Sequence, residues 1–103
     1  MEEVVLAGAA RTPMGGFQGA LAGVTAAELG GAAIRAALAD AAADPTRIDE
    51  LLMGCVLPAG QGQAPARQAG FHGGLGEEVP ATTVNKMCGS GMKTAMMAHD
   101  RLA

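Results

Sequence analysis

The amino-acid sequence predicts an α/β layered fold with a mostly parallel sheet. Three observations carry this: short apolar segments at residues 3–10, 51–57 and 81–84, a helix-like stretch after each, and Gly/Pro punctuation between them. The resulting order β-α-β-α-β-α favours parallel neighbours joined by helical crossovers. At 103 residues the chain holds at most one domain with a modest core. Half of the residues are apolar, yet the aromatics are only Phe17 and Phe71. Any core is therefore built from Ala, Val, Leu, Ile and Met, with glycine allowing close backbone approach.

Residues 3–10 form a continuous apolar run that begins with valines, the pattern of a strand covered on both faces. Arg11-Thr12-Pro13 ends it, and Gly15, Gly16, Gly19 and Gly23 imply a long loop. Thr25-Ala26-Ala27-Glu28 fits a capping box, with Thr25 as N-cap and Glu28 reaching back. Ala27, Ile34, Leu38 and Ala41 then fall on one helical stripe, which Asp44-Pro45 stops. The second strand, residues 51–57, contains Cys55 and ends at Pro58. Residues 59–63 read as a glycine-rich turn, without the lysine or the spacing of a phosphate loop. Pro65 suits the first turn of a short helix that Gly73-Gly74 would close. Residues 81–84, Ala-Thr-Thr-Val, are β-branched and read as the third strand. Met92, Ala95, Met96, His99 and Leu102 recur with helical spacing, and Met97 lies off that stripe. The last helix is thus expected to be deeply buried, with nothing after it in the chain to cover it, as in a fragment of a larger fold.

The net charge of −3 and the lack of a basic cluster argue against a nucleic-acid partner. No segment approaches the ~18 apolar residues needed to span a bilayer, so no membrane partner is expected. The N-terminus is acidic where a signal peptide would be basic, and the two cysteines are too few for a disulfide framework. Cytoplasm is the expected compartment. Neither His72, His99 nor the cysteines have metal-site spacing, so no metal or cofactor is expected.

The residue that carries chemistry is Cys88, in the run Asn85-Lys86-Met87-Cys88-Gly89-Ser90-Gly91-Met92-Lys93. A thiol placed at a helix start meets unpaired N–H groups and the positive end of the macrodipole, which favour the nucleophilic thiolate. Lys86 and Lys93 add positive potential if they approach. Gly89 and Gly91 clear side chains from around the sulfur, and the Cys88 backbone N–H is a candidate oxyanion donor. The blander reading is an inert buried thiol. His99, on the apolar stripe, is expected to be packed or at an interface rather than a base. His72 is expected at a helix end, stabilising it or simply exposed. Cys55 is expected in the core, and Met87 and Met92 in packing.

Residues 85–93 resemble, almost letter for letter, the nucleophile segment of the thiolases, and match best the biosynthetic, acetyl-CoA C-acetyltransferase branch. Three further stretches fall in the same order as in that family: Ala9-Ala10-Arg11-Thr12-Pro13 with Gly15 and Phe17, residues 53–60, and residues 62–68. The resemblance runs from Val4 to Ala103 and corresponds to about the first quarter of a typical thiolase. It therefore implies that residues 1–103 are a partial N-terminal thiolase domain. It implies that Cys88 attacks an acyl-CoA thioester, holds the acyl group and passes it to a second acetyl-CoA, giving acetoacetyl-CoA, or runs the reverse thiolysis. Coenzyme A thioesters would be substrates, and a homodimer or homotetramer with residues 81–84 at the two-fold edge would be the assembly. The family's histidine and second cysteine lie in motifs not found here, so the resemblance leaves this chain only the nucleophile and little turnover of its own. The alternatives are a non-catalytic truncated or assembly fragment, or a degradative 3-oxoacyl-CoA thiolase lineage. Arg67 and Gln63 would shape the subunit interface or the neighbourhood of Cys88.

Overall fold

A computed structural model describes residues 3–103. Its elements in order are helix α1 (Ala26–Asp40), a 3₁₀ turn (Pro45–Arg47), strand β1 (Leu51–Gly54), helix α2 (Pro65–His72), strand β2 (Ala81–Val84) and helix α3 (Ser90–Leu102). The strands run parallel in the register Leu51↔Ala81 through Gly54↔Val84, and α2 lies in the crossover between them. Successive side chains of a strand point to opposite faces. Leu51 Cδ2 meets Gly70 of α2 and Met53 Cε lies near Gly30 of α1, whereas Gly54 lies against Ser90 of α3. The sheet is thus sandwiched between α1/α2 on one face and α3 on the other, and the α/β, parallel-sheet class holds.

Residues 3–10, expected as the first strand, join no ladder. The Ala9 N–H donates to Asp40 Oδ2 at 3.0 Å, and Gly8 lies against the Ala37 carbonyl and Ala41. The segment therefore runs beside the end of α1, with Val5 and Leu6 largely exposed. An apolar, β-branched composition favours extended backbone, but a strand exists only where an adjacent edge takes its N–H and C=O groups. The second strand is also shorter than expected, ending at Gly54. Cys55 makes one more sheet-like bond, from its N–H to the Val84 carbonyl at 2.9 Å, before the chain turns away.

Thr25 caps α1 as expected: its Oγ1 accepts from the Glu28 N–H at 3.1 Å. The reciprocal bond from the Thr25 N–H to the Glu28 carboxylate is not made among the described residues, so the box is half formed. Thr25→Ala should therefore lower stability by about 1 kcal/mol, the usual worth of one cap, read as a shift of the urea midpoint. A similar side-chain cap opens the 3₁₀ turn, where Asp44 Oδ1 accepts from both the N–H and the hydroxyl of Thr46. These two bonds, the hydroxyl's first, hold the exposed Asp44 carboxyl below its ordinary range.

The core is made of small residues. Among the described residues the buried apolar side chains are Ala27, Ala66, Ala69, Leu75 and Val79. Glycines bring α1 and α2 together: Gly30 faces Ala69, Gly31 faces His72 and Gly73, and Ile34 covers Gly73. Close backbone approach takes the place of large interdigitating side chains at this crossing.

The last helix departs from its expected burial. Met92, Met96 and Leu102 are 73%, 55% and 61% exposed, and among its described residues only Ser90 is buried. The periodic stripe is real, but its large side chains stand in solvent rather than packed on the sheet. The face against β1 and β2 is instead the one carrying Ser90, Thr94, Met97 and Ala98. Periodicity identifies a helix, while burial depends on which face meets a neighbour. Among the described residues no helix is long and apolar enough to cross a membrane.

Candidate functional site

Residues 85–89, which hold the candidate Cys88, form a tight turn between β2 and α3. Asn85 leaves the strand, Met87 adopts the left-handed conformation at φ +48°, and Gly89 is the N-cap of α3. That conformation costs a non-glycine residue about 1–2 kcal/mol, so something must hold it. The restraints converge on Met87. Its N–H donates to Asn85 Oδ1 at 3.0 Å, and its carbonyl accepts from the Ser90 hydroxyl at 2.7 Å and the Ser90 N–H at 3.3 Å. Ser90 Oγ also accepts from the Lys86 N–H at 3.0 Å, and the Gly89 N–H closes on the Lys86 carbonyl at 2.9 Å. Asn85 Nδ2 donates to the Val56 carbonyl at 3.3 Å, tying the turn to the exit of β1.

Cys88 rides on this turn with an exposed, free thiol. It lies one residue ahead of the N-cap, in front of the first turn of α3. Among the described residues no hydrogen bond engages the N–H groups of Cys88, Gly91 or Met92. An added Cβ at Gly91 would meet nothing within 4 Å, so the approach along the start of α3 is open. An accessible sulfur beside free N–H groups at a helix start can attack a carbonyl and receive the developing oxyanion. Met87 and Met92 flank it but do not pack; both are well exposed.

The other sequence candidates lie elsewhere. His99 is not packed: its side chain is 60% exposed, with Nδ1 3.5 Å from Asp100 Oδ1. Eleven residues along from Cys88, it is displaced by ~16 Å at the helical rise. His72 ends α2, exposed, and its carbonyl accepts from Arg35 Nη2 at 2.6 Å. Cys55 is half-buried just past β1 rather than in mid-strand, its thiol 3.8 Å from Gln61 Oε1. Arg67 does not approach Cys88; its Nη1 donates to the carbonyls of Glu77 and Val79, and its guanidinium lies 5.7 Å from the Phe71 ring centroid. The Gln63 carbonyl accepts from Gln68 Nε2, which together with the Gln61 carbonyl pins the glycine-rich loop to α2. Among the described residues no cluster of three or more His, Cys, Asp or Glu side chains is gathered. An open groove of about 660 Å³ between residues 47–52 and the outer half of α3 includes no residue of the turn.

Sequence reasoning singled out Cys88 but passed over Asn85 and Ser90. Ser90 is the one buried polar side chain among the described residues, at 5% exposure. Its signal in the sequence was a lone hydroxyl between two glycines, which reads equally well as loop filler.

Residues 4–103 match the family model described as thiolase, N-terminal domain. The chain is 52% identical over 102 residues to an acetyl-CoA acetyltransferase of Cupriavidus necator, covering 99% of this chain and 26% of that one. It is 51% identical over 102 residues to the mitochondrial acetyl-CoA acetyltransferase B of Xenopus laevis, covering 99% and 24% respectively. A solved structure of acetyl-CoA acetyltransferase from Syntrophomonas wolfei superposes with a TM-score of 0.86 at 39% identity, over 91% of this chain and 24% of that one. The chain thus spans about a quarter of the length of these relatives.

Proposed function

Since the chain belongs to the thiolase family by its N-terminal domain, we propose that it serves thiolase-type acyl transfer, with Cys88 as the residue that accepts the acyl group. The observation that carries this reading is the exposed Cys88 thiol, held ahead of α3 beside unengaged N–H groups. The relatives' names, acetyl-CoA acetyltransferases, supply the substrate class: acyl-CoA thioesters, acetyl-CoA first.

In the proposed step the Cys88 sulfur attacks the thioester carbonyl carbon. A new S–C bond forms, the carbonyl electrons move to oxygen, and the Cys88 N–H is the donor nearest the sulfur along the chain for that oxyanion. Collapse breaks the bond to the CoA sulfur. The proton lost by the Cys88 thiol ends on the departing CoA, leaving an acetyl-thioester on the protein. One thioester replaces another, so the exchange is nearly balanced and the acyl group stays activated. The finer reading is that a second acetyl-CoA takes up this acetyl group to give acetoacetyl-CoA, with thiolysis as the reverse. A homodimer or homotetramer belongs to the same reading, supported by the second edge of β2, which is unpaired among the described residues. Light scattering of the purified protein would read the assembly directly, and a monomer at all concentrations would remove it.

Acyl transfer is tested by mixing the folded chain with acetyl-CoA carrying a labelled acetyl group. The expected result is label on the Cys88 peptide with matching release of CoA, lost in Cys88→Ala and retained in Cys55→Ala. A folded protein in which Cys88 stays unlabelled would sink the proposal.

A further inference from the structure

We propose that Ser90 is a positioning residue for Cys88, locking the turn that presents the nucleophile; this rests on the reading of Cys88 as the acyl acceptor. Ser90 opens α3, but its hydroxyl does not cap that helix. It reaches backward across Cys88, accepting from the Lys86 N–H at 3.0 Å and donating to the Met87 carbonyl at 2.7 Å. Both partners are residues that precede the cysteine. The ring they close encircles Cys88, and among the described residues no side-chain hydrogen bond holds Cys88 itself. Where its sulfur points therefore follows from the shape of the ring.

Two further features make Ser90 the fixed point of that ring. It is buried at 5% exposure while every other residue from Asn85 to Cys88 is exposed. Its Cβ and carbonyl carbon also lie directly against Gly54, where an added Cβ would come within 2.8 and 2.9 Å of them. The hydroxyl thus anchors a solvent-exposed, left-handed turn to the sheet. Backbone held in a sparsely populated conformation persists only when its surroundings over-determine it, and such restraint is concentrated at functional turns. Without the hydroxyl, Met87 keeps its bonds to Asn85 and the Ser90 N–H but loses the shortest one, and Lys86 loses its acceptor.

The test compares the chain with Ser90→Ala and Ser90→Thr, reading acetyl transfer from acetyl-CoA, the pH profile of iodoacetamide alkylation at each cysteine, and the urea midpoint. In Ser90→Ala, acetyl transfer to Cys88 should fall roughly ten- to a hundredfold, the scale of a misplacement near 1 Å. The alkylation profile of Cys88 should move, that of Cys55 should not, and Ser90→Thr, which keeps the hydroxyl but adds a methyl to the Cβ packed on Gly54, should retain more acetyl transfer than Ser90→Ala. Unchanged acetyl transfer and an unchanged Cys88 profile in Ser90→Ala would overturn the proposal. So would a rise in Cys55 alkylation together with a collapsed urea midpoint, which would mark the hydroxyl as a plain fold element. If the parent chain takes no acetyl label yet the Cys88 profile alone moves in Ser90→Ala, the acyl-acceptor reading fails and the positioning role stands.

Discussion

Gly31→Ala is expected to destabilise the protein by about 1–3 kcal/mol, the usual cost of overpacking a close-packed contact. A Cβ at Gly31 would collide with His72 Cβ and stand 2.8 Å from the His72 carbonyl carbon and 3.0 Å from the Gly73 nitrogen. Two of these are backbone atoms, so no rotamer change relieves the clash and the α1–α2 crossing must open. Helix propensity pulls the other way, since alanine in mid-helix is favoured over glycine by about 1 kcal/mol. The clash should win, because the buried core leans on this crossing and offers no large flexible side chain to yield. Urea denaturation followed by far-UV circular dichroism measures the shift. Gly91→Ala is the matched control, because its Cβ would meet nothing within 4 Å. It should keep the stability of the parent or raise it by a few tenths to about 1 kcal/mol. A Gly31→Ala midpoint at or above that of the parent would show that α1 and α2 are not so closely packed.

Gly54→Ala is expected to strike both stability and the site. Its Cβ would meet Ser90 Cβ at 2.8 Å, the Ser90 carbonyl carbon at 2.9 Å and the Gly91 nitrogen at 3.0 Å. The first turn of α3 would have to lift from β1, again at about 1–3 kcal/mol. The same movement carries Ser90, and with it the hydrogen bonds to Lys86 and Met87 that shape the Cys88 turn. Alkylation of Cys88 should therefore change in rate more than alkylation of Cys55, although Cys55 is the immediate chain neighbour of the substitution. Equal changes at both cysteines, with the midpoint unmoved, would mean that the close contact of Gly54 with α3 is not what positions the turn.

The elements marked by local chemistry were legible in the sequence. Thr25 starts α1, Pro65 starts α2 and Gly73-Gly74 end it, because caps, ring constraints and left-handed backbone act within a few residues. The parallel pair at residues 51–54 and 81–84 follows from β-branched and apolar runs separated by a helical crossover. Residues 3–10 carry the same composition and form no strand. Strand formation depends on an edge supplied from elsewhere, and here the Ala9 N–H goes to Asp40 instead. The stripe of Met92, Met96 and Leu102 shows the same division. Its spacing specifies a helix, yet its exposure depends on what stands opposite.

At the site, the sequence by itself singled out the thiol proposed here as the acyl acceptor. Cys88 stands in a run whose glycines and helical sequel place a thiol at a helix start, and residues 4–103 match the thiolase N-terminal domain. Only the tertiary structure decided how the thiol is held. The left-handed Met87, the backward reach of Ser90 and the seat of Ser90 on Gly54 join residues 36 positions apart (54 to 90). Hydrophobic period and capping propensity are local quantities, written along the chain. Close approach between a strand and a helix start is a property of two surfaces in space, and no local pattern encodes it.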